Sequence, residues 1–282
     1  MAFNLDNLGK WSEEREFKVE ADRIKAYAAA TNDPLPRHTS GELAPPVFAV
    51  VPIWEAMGES VMAVTPPEVM LNALHGEQDM HFHQPIRPGM VLRSRAAPVG
   101  VHVKPSGTTV VTHTETRDEH GESVNEQWFV SFFRGTAEGD SAGEPAPDHA
   151  FAEDARTSDP FATATQRFDE DQTFRYRDAS GDYVPIHVDE GIAKSIGLPG
   201  IIIHGLCTMA FTSWSAIEEL ADGEPSRLKR LAVRFSKPLF PGQEIITRFY
   251  SAGSRDARAL YTYETTNPDG DLVIKDGLAE VS

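Results

Sequence analysis

The sequence predicts an α+β fold of two similar units, each an antiparallel sheet wrapped round one central helix. Three observations carry that expectation. Runs with period-two alternation, separated by turn residues, close each half of the chain, as antiparallel strands do. The stretch from His204-Gly205 to about Leu220 reads as a helix that is apolar on nearly every side (Leu206, Met209, Ala210, Phe211, Trp214, Ile217, Leu220), and such a helix has to be buried, here against a sheet. Finally, the halves repeat. Tyr27, Thr31, Asp33, Pro36 and His38 fall on Tyr176, Ser180, Asp182, Pro185 and His187 at a constant offset of 149 residues. Phe82, Pro85, Pro88 and Gly89 fall on Phe235, Pro238, Pro241 and Gly242 at an offset of 153, and Gly121 falls on Gly270 at 149 again. Three stretches agreeing this closely mark an internal repeat.

In chain order, Arg15 to Glu20 reads as a strand and Asp22 to Thr31 as a helix with Ile24, Tyr27 and Ala28 on one face. An apolar helix from Pro45 past Trp54 to Met62, interrupted around Pro52, ends at Thr65-Pro66-Pro67. Strands follow from Gln78 (DMHFHQPI, MVLRSRAAPV, GTTVVTHTET, VNEQWFVSFFRG), with a turn at Asp118 to Gly121. Residues 137–164 are rich in Ala, Pro, Gly, Ser and acids and read as a linker. After it the programme repeats: a strand from Thr165 to Asp169, a helix from Asp171 to Ala179, a polar loop at Ser180-Gly181-Asp182 and a short helix from Asp189 to Ile196, stopped by Gly197 and Pro199. The apolar helix from His204-Gly205 comes next, then strands LKRLAVRFSKPLF, QEIITRFYSA, RALYTYETT and DLVIKDGLAEV, the last two joined by the Asn267-Pro268-Asp269-Gly270 turn. The expected domains are therefore 1–136, a linker at 137–164, and 165–282. A single such unit leaves a sheet edge and part of its helix layer uncovered, so two side by side would form a pseudo-dimer within one chain.

With 26 basic and 43 acidic residues the net charge is −17, which opposes nonspecific binding to nucleic acid or to an anionic membrane. No apolar run is read as approaching the roughly 18 residues of a membrane span, and the first residues lack the basic-then-apolar layout of an export signal. The single cysteine, Cys207, excludes an internal disulfide, suits a reducing cytoplasm and reads as core. Against the acidic background, Leu228 to Lys237 holds Lys229, Arg230, Arg234 and Lys237 and no acid. Arg230, Arg234 and Lys237 are candidates for the phosphates of a ligand; an edge strand guarded by basic residues fits the segment equally well.

The chemistry suggested lies between Tyr176 and Trp214. A carboxylate (Asp182) and an imidazole (His187) on an irregular loop can move a proton on and off water, and a glycine N–H at a helix start (Gly205) can hold a developing oxyanion. Such a site suits addition of water to a double bond conjugated to a carbonyl, or its reversal. Gly181-Asp182-Tyr183-Val184-Pro185-Ile186-His187 followed by His204-Gly205 resembles the signature of the MaoC-like, (R)-specific enoyl-CoA hydratases of the hotdog fold. The likeness covers the C-terminal half closely and the N-terminal half as a degenerate copy, with Val184 where the family usually has Asn. The resemblance implies a double hotdog, Asp182 and His187 as the acid/base pair, the Gly205 N–H as thioester oxyanion donor, and a CoA or acyl-carrier thioester as substrate with no further cofactor. It also implies that the N-terminal half shapes the acyl pocket, because no His-Gly pair opens its helix even though Asp33 and His38 remain.

His204 reads as a structural residue at the helix entry. Ser213 could hydrogen-bond toward the loop or to its own preceding turn. His81-x-His83 places two imidazoles on one strand face, yet no third ligand follows at a telling spacing, so no metal is expected. Neither a Gly-rich phosphate loop nor a Gly-x-Ser-x-Gly nucleophile elbow occurs. The expected activity is reversible hydration of a trans-2-enoyl thioester to the (R)-3-hydroxyacyl thioester; a hotdog thioesterase and a non-catalytic acyl-thioester-binding subunit stay open as alternatives, as does a homodimer or higher oligomer.

Overall fold

The computed structural model describes residues 2–282, apart from the Leu71 side chain. In chain order, β1 (Arg15–Lys18) leads to α1 (Ala21–Ala30), α2 (Pro36–Thr39), a 3-10 stretch (Pro46–Ile53) and α3 (Trp54–Val64). Strands β2 (Ala73–Phe82), β3 (Val91–Lys104), β4 (Gly107–Arg117), β5 (Ser123–Arg134) and the two-residue β6 (Ala142–Gly143) follow. The second half holds β7 (Ala162–Arg167), α4 (Gln172–Ser180), α5 (Glu190–Ser195), α6 (Gly205–Leu220), β8 (Leu228–Phe235), β9 (Glu244–Arg255), β10 (Arg258–Thr266) and β11 (Leu272–Val281). The expected strands and the helices α1, α3, α4, α5 and α6 are present, while Pro46–Ile53 is 3-10 and α2 and β6 were not expected. Boundaries shift by up to five residues: β2 starts at Ala73 rather than Gln78, because Ala73 to Glu77 carry no regular alternation to announce a strand, β3 runs on to Lys104, and β8 ends at Phe235.

The chain packs as two compact units. The first comprises residues up to Lys18, Pro52–Gln84 and Met90–Asp148. Its antiparallel sheet runs β1-β3-β4-β5-β2, with β6 added on β3. Helix α3 packs on this sheet, and Val61 and Val64 meet Phe3, Val101, Val110 and Phe133 in a closed apolar cluster. The second unit comprises Val19–Val51, Pro85–Gly89 and His149–Ser282. Its sheet runs β8-β11-β10-β9-β7. Helix α6 is buried along nearly its whole length, as its all-round apolar sequence requires. Phe211 on α6 meets Phe168 at 4.2 Å between ring centres.

The expected division at residues 136 and 165 describes the repeat and not the packing, since residues 19–51 belong to the second unit. The physical reason lies at the end of α1. The last carbonyls of a helix have no partner inside it, and here Arg175 Nη1 donates to Ala29 O (2.9 Å), Gln172 Nε2 to Ala30 O (2.6 Å) and Trp214 Nε1 to Thr31 O (3.1 Å). Side chains of α4 and α6 thus finish α1. Tyr27 and Tyr176, equivalent in the repeat, meet edge to face with their hydroxyls 3.2 Å apart, and both are fully buried.

Residues 137–164 are not a free linker. Ala142 and Gly143 pair with β3, and in the second unit His149 Nδ1 donates to Asp276 O at 2.6 Å while Phe151 is buried. The apolar stretch from Pro46 to Val64 corrects a second expectation. Its 19 residues are long and apolar enough by composition to cross a membrane, although 67% of it is buried in the fold and Pro52 interrupts it.

The repeat extends to hydrogen bonds. Asp118 Oδ1 accepts from the His120 and Glu122 N–H groups, both at 2.9 Å, and Asn267 Oδ1 accepts from Asp269 and Asp271 at 3.1 and 2.9 Å. Each turn then needs a left-handed residue, supplied by Gly121 (φ +85°) and Gly270 (φ +82°).

Candidate active site

Helix α4 ends where Gly181 takes φ +83°. Ser180 Oγ donates to Tyr176 O (2.7 Å) and accepts from the Asp182 N–H (3.1 Å), and Asp182 Oδ1 accepts from the Val184 N–H (3.1 Å). This chain of short-range bonds fixes the carboxylate while leaving Oδ2 unused within the loop. Val184 serves through its backbone; its side chain is 44% exposed, so an apolar residue there does not disturb the turn. The 3-10 turn Pro185–His187 carries His187 inward, and its Nδ1 lies 2.8 Å from Ile202 O. A carbonyl oxygen only accepts, so Nδ1 carries the proton and Nε2 keeps a free lone pair.

His204 precedes the first residue of α6. Its ring stacks on that of His187 at 3.8 Å between centres and 23° between planes, and its Nε2 donates to Asp182 O at 3.3 Å. Tyr176 lies against its other side, 5.0 Å between centres. The two halves of the loop are thereby joined through one imidazole. A carboxylate oxygen of Asp182 and a ring nitrogen of each histidine all lie within 4.8 Å of one another, and all three residues are buried. These three groups do not form a ready metal cage: two near-parallel ring planes this far apart cannot share an in-plane ion at the about 2.1 Å of an imidazole–zinc bond.

Burial pushes the Asp182 carboxyl up to about 6, opposed by the hydrogen bond from Val184. Burial lowers His187 to about 4, opposed by its bond to Ile202. His204 falls to about 2, through burial first and then its neighbour His187. At neutral pH the pocket therefore holds one carboxylate and two neutral imidazoles. Gly205 opens α6, where the first N–H groups have no acceptor within the helix. A Cβ at this position would lie 3.2 Å from the Phe235 ring, tight enough that the ring would have to shift, so packing favours glycine independently of any catalytic role.

The first-half pair is wired differently. Asp33 Oδ1 accepts from the Leu35 N–H (2.9 Å), the counterpart of the Asp182–Val184 bond, but His38 Nδ1 sits 2.7 Å from Asp33 Oδ2. Carboxylate and imidazole are bound to each other, both fully buried, whereas in the second half the corresponding Nδ1 is held by a carbonyl 15 residues on. Both copies share the Asx-type turn; the partner of the imidazole separates them.

Ser213 makes neither expected contact, and its buried Oγ has no hydrogen-bond partner among the described residues. Of the three basic candidates, Arg230 is withdrawn: it is 5% exposed and donates to Glu280 at 3.3 Å. Arg234 donates to Asp276 at 2.6 Å, and Lys237 is exposed. The segment is basic because acids elsewhere in the sheet, Glu280 and Asp276 on β11, answer it; sequence adjacency does not reveal this. Burial raises the Cys207 thiol well above its ordinary value, in keeping with a core role. What the sequence did not announce is the Ile202 carbonyl, a backbone group with no residue signature. The Phe235 ring against Gly205 was also unannounced, although Phe235 has its own copy at Phe82.

The sequence pattern of the MaoC like domain matches residues 150–270, and that of the FAS1-like dehydratase domain region matches residues 6–127. A 3-hydroxyacyl-thioester dehydratase Y from Mycobacterium tuberculosis is 30% identical over 218 residues, covering 73% of this chain and 72% of its own. The chain belongs to the MaoC-like dehydratase family. A probable enoyl-CoA hydratase 2 from Dictyostelium discoideum is 29% identical over 234 residues, 83% of this chain and 77% of that protein. Among solved structures, the MaoC-like dehydratase from Phytophthora capsici superposes with a TM-score of 0.86 at 25% identity, covering 99% of both chains. A Mycobacterium tuberculosis protein described as a double hotdog matches at TM-score 0.62 and 12% identity over 97% of this chain and 95% of its own; the fold is that double hotdog. The chain spans 31% of the length of the peroxisomal multifunctional enzymes type 2 of Drosophila melanogaster and Mus musculus.

Proposed function

We propose that this chain is a hydro-lyase that adds water reversibly to a trans-2-enoyl-CoA, or an equivalent acyl-carrier thioester, to give the (R)-3-hydroxyacyl thioester. The names of the Dictyostelium and mycobacterial relatives support the reaction class. The single observation that carries the site assignment is the asymmetry between the two Asp/His pairs. His187 has its Nδ1 proton tied to Ile202 O and its Nε2 lone pair free beside the Asp182 carboxylate, whereas His38 is bonded directly to Asp33.

In this reading Asp182 and His187 hold one water. Its oxygen attacks the β-carbon, its proton passes to the pair, and a proton from the pair goes to the α-carbon, so that one water is consumed and nothing else. The thioester oxygen gains charge in the enolate-like transition state and accepts from the Gly205 N–H; losing one such donor typically costs roughly 3 kcal/mol of barrier. His204 positions Asp182 and His187 without touching substrate. Lys237 and Arg234 stay as candidates for a CoA phosphate.

The test is hydration of crotonyl-CoA followed by loss of absorbance of the conjugated thioester, with a chiral readout of the product. Asp182→Ala and His187→Ala should each lose most of kcat, by about 10²-fold or more, while Asp33→Ala and His38→Ala variants that fold should stay within about tenfold of the parent. Equal losses from both pairs would refute the assignment, and release of free CoA thiol would point to a thioesterase.

A further inference from the structure

A second group of imidazoles and carboxylates lies in the first unit, on one face of its sheet. The register lines up Arg95, Glu115, Glu126 and His81 across β3, β4, β5 and β2, with His113, Trp128 and Asp79 in the adjoining row. His83 follows the end of β2 on the same face as His81. The sequence showed only the His81-x-His83 pair; the residues that complete the group sit on β4 and β5, 30 or more positions from His83, and only strand pairing brings them in.

Glu126 is the centre of the group. Its Oε2 lies 3.0 Å from His83 Nε2 and its Oε1 3.5 Å from His113 Nε2. His113, Glu115 and Glu126 each bring a potential ligand atom within 4.8 Å of the others. The His113 Nε2 atom is buried, with no hydrogen-bond partner among the described residues. Its ring cannot easily turn away, because it stacks flat on Trp128 (4.5 Å between centres, 12° between planes) and meets the edge of Trp11 at 5.5 Å. Glu115 also accepts from Arg95 at 2.8 Å, which holds its carboxylate beside the other two.

These separations match what a metal ion demands. Two ligands each about 2.0–2.1 Å from a tetrahedral zinc ion are roughly 3.3 Å apart, close to the 3.5 Å between Glu126 Oε1 and His113 Nε2. The His113 ring stacks on a tryptophan and not on a second imidazole of the cluster. We propose that His113, Glu115 and Glu126 form a binding site for a divalent transition metal of the zinc, nickel or copper class, with His83 at its edge on the second oxygen of Glu126. An imidazole ligand favours such borderline ions over magnesium or calcium, which take oxygen ligands. The ion would tie β4 to β5, and Glu126 in turn bonds His83 at the end of β2. It is independent of the proposed hydration, being built from the first unit alone.

The experiment uses the full chain, freed of any affinity tag and stripped with a chelator. Titration with zinc chloride in a calorimeter should show one ion bound per chain and a rise in Tm, and cobalt(II) should give the visible absorption of a nitrogen- and oxygen-ligated ion. His113→Ala and Glu126→Gln should each weaken binding at least about tenfold, whereas Asp182→Asn should leave it unchanged. Magnesium chloride should give neither heat nor a Tm shift. The proposal is overturned if zinc does not bind, if His113→Ala and Glu126→Gln bind as the parent does, if Asp182→Asn abolishes binding, or if magnesium binds equally well.

Discussion

Replacing Asp182 with Asn should abolish turnover and, at the same time, make the protein more stable above neutral pH. Asp182 is 7% exposed, and burial raises its carboxyl from 3.8 to about 6. At about 1.4 kcal/mol per tenfold change in acidity, keeping it ionised in the fold costs about 3 kcal/mol. The sign follows from the raised value. The fold prefers the neutral acid, so the stabilising contribution of the protonated group is fully present below pH 3.8 and is lost as pH rises through about 6. Asn is neutral at every pH and can keep the bond from the Val184 N–H to Oδ1. The variant should therefore gain up to about 3 kcal/mol near pH 8, of the order of 5–10 °C in Tm, and no more than about 0.5 kcal/mol near pH 4. Thermal melts of parent and variant at both pH values, beside crotonyl-CoA turnover, test this. A variant no more stable than the parent near pH 8, or a gain of the same size near pH 4, would show that the carboxylate is not held in a desolvated pocket.

Three further outcomes follow from the same structure. Hydration requires Asp182 as the carboxylate while His187 stays neutral down to about 4, so kcat/KM should fall on a single acid limb near pH 6; a profile flat to about pH 5 would contradict it. His38→Ala should cost about 3–5 kcal/mol in denaturant unfolding, because it strands the buried Asp33 without its partner, yet leave turnover of the folded fraction within about tenfold; a neutral effect on stability would mean Asp33 finds water. Gly205→Ala should destabilise by about 1–3 kcal/mol by pressing a methyl group on the Phe235 ring, and Phe235→Leu in the same chain should return part of that loss. Additivity of the two substitutions would mean the ring is not what excludes the side chain.

The sequence by itself determined the elements, the repeat and the two Asp/His pairs. These are set by short-range physics: period-two and all-round apolar patterns, glycines at left-handed turn positions, an Asp that accepts from the N–H two residues on. Both copies obey those rules almost bond for bond, which is why Asp33 and Asp182 look alike in the chain. Tertiary structure decided the rest. It held the His187 ring with the Ile202 carbonyl and the His38 ring with Asp33, and so gave one imidazole a free nitrogen and bonded the other to its carboxylate. It set Glu280 against Arg230, packed α1 with the second unit rather than the first, and brought His113 and Glu126 to His83 from other strands. In each case the partner lies from 5 to well over 100 positions away or is a backbone carbonyl, and a hydrogen bond or an ion pair depends on where atoms end up in space, not on the spacing of residue types along the chain.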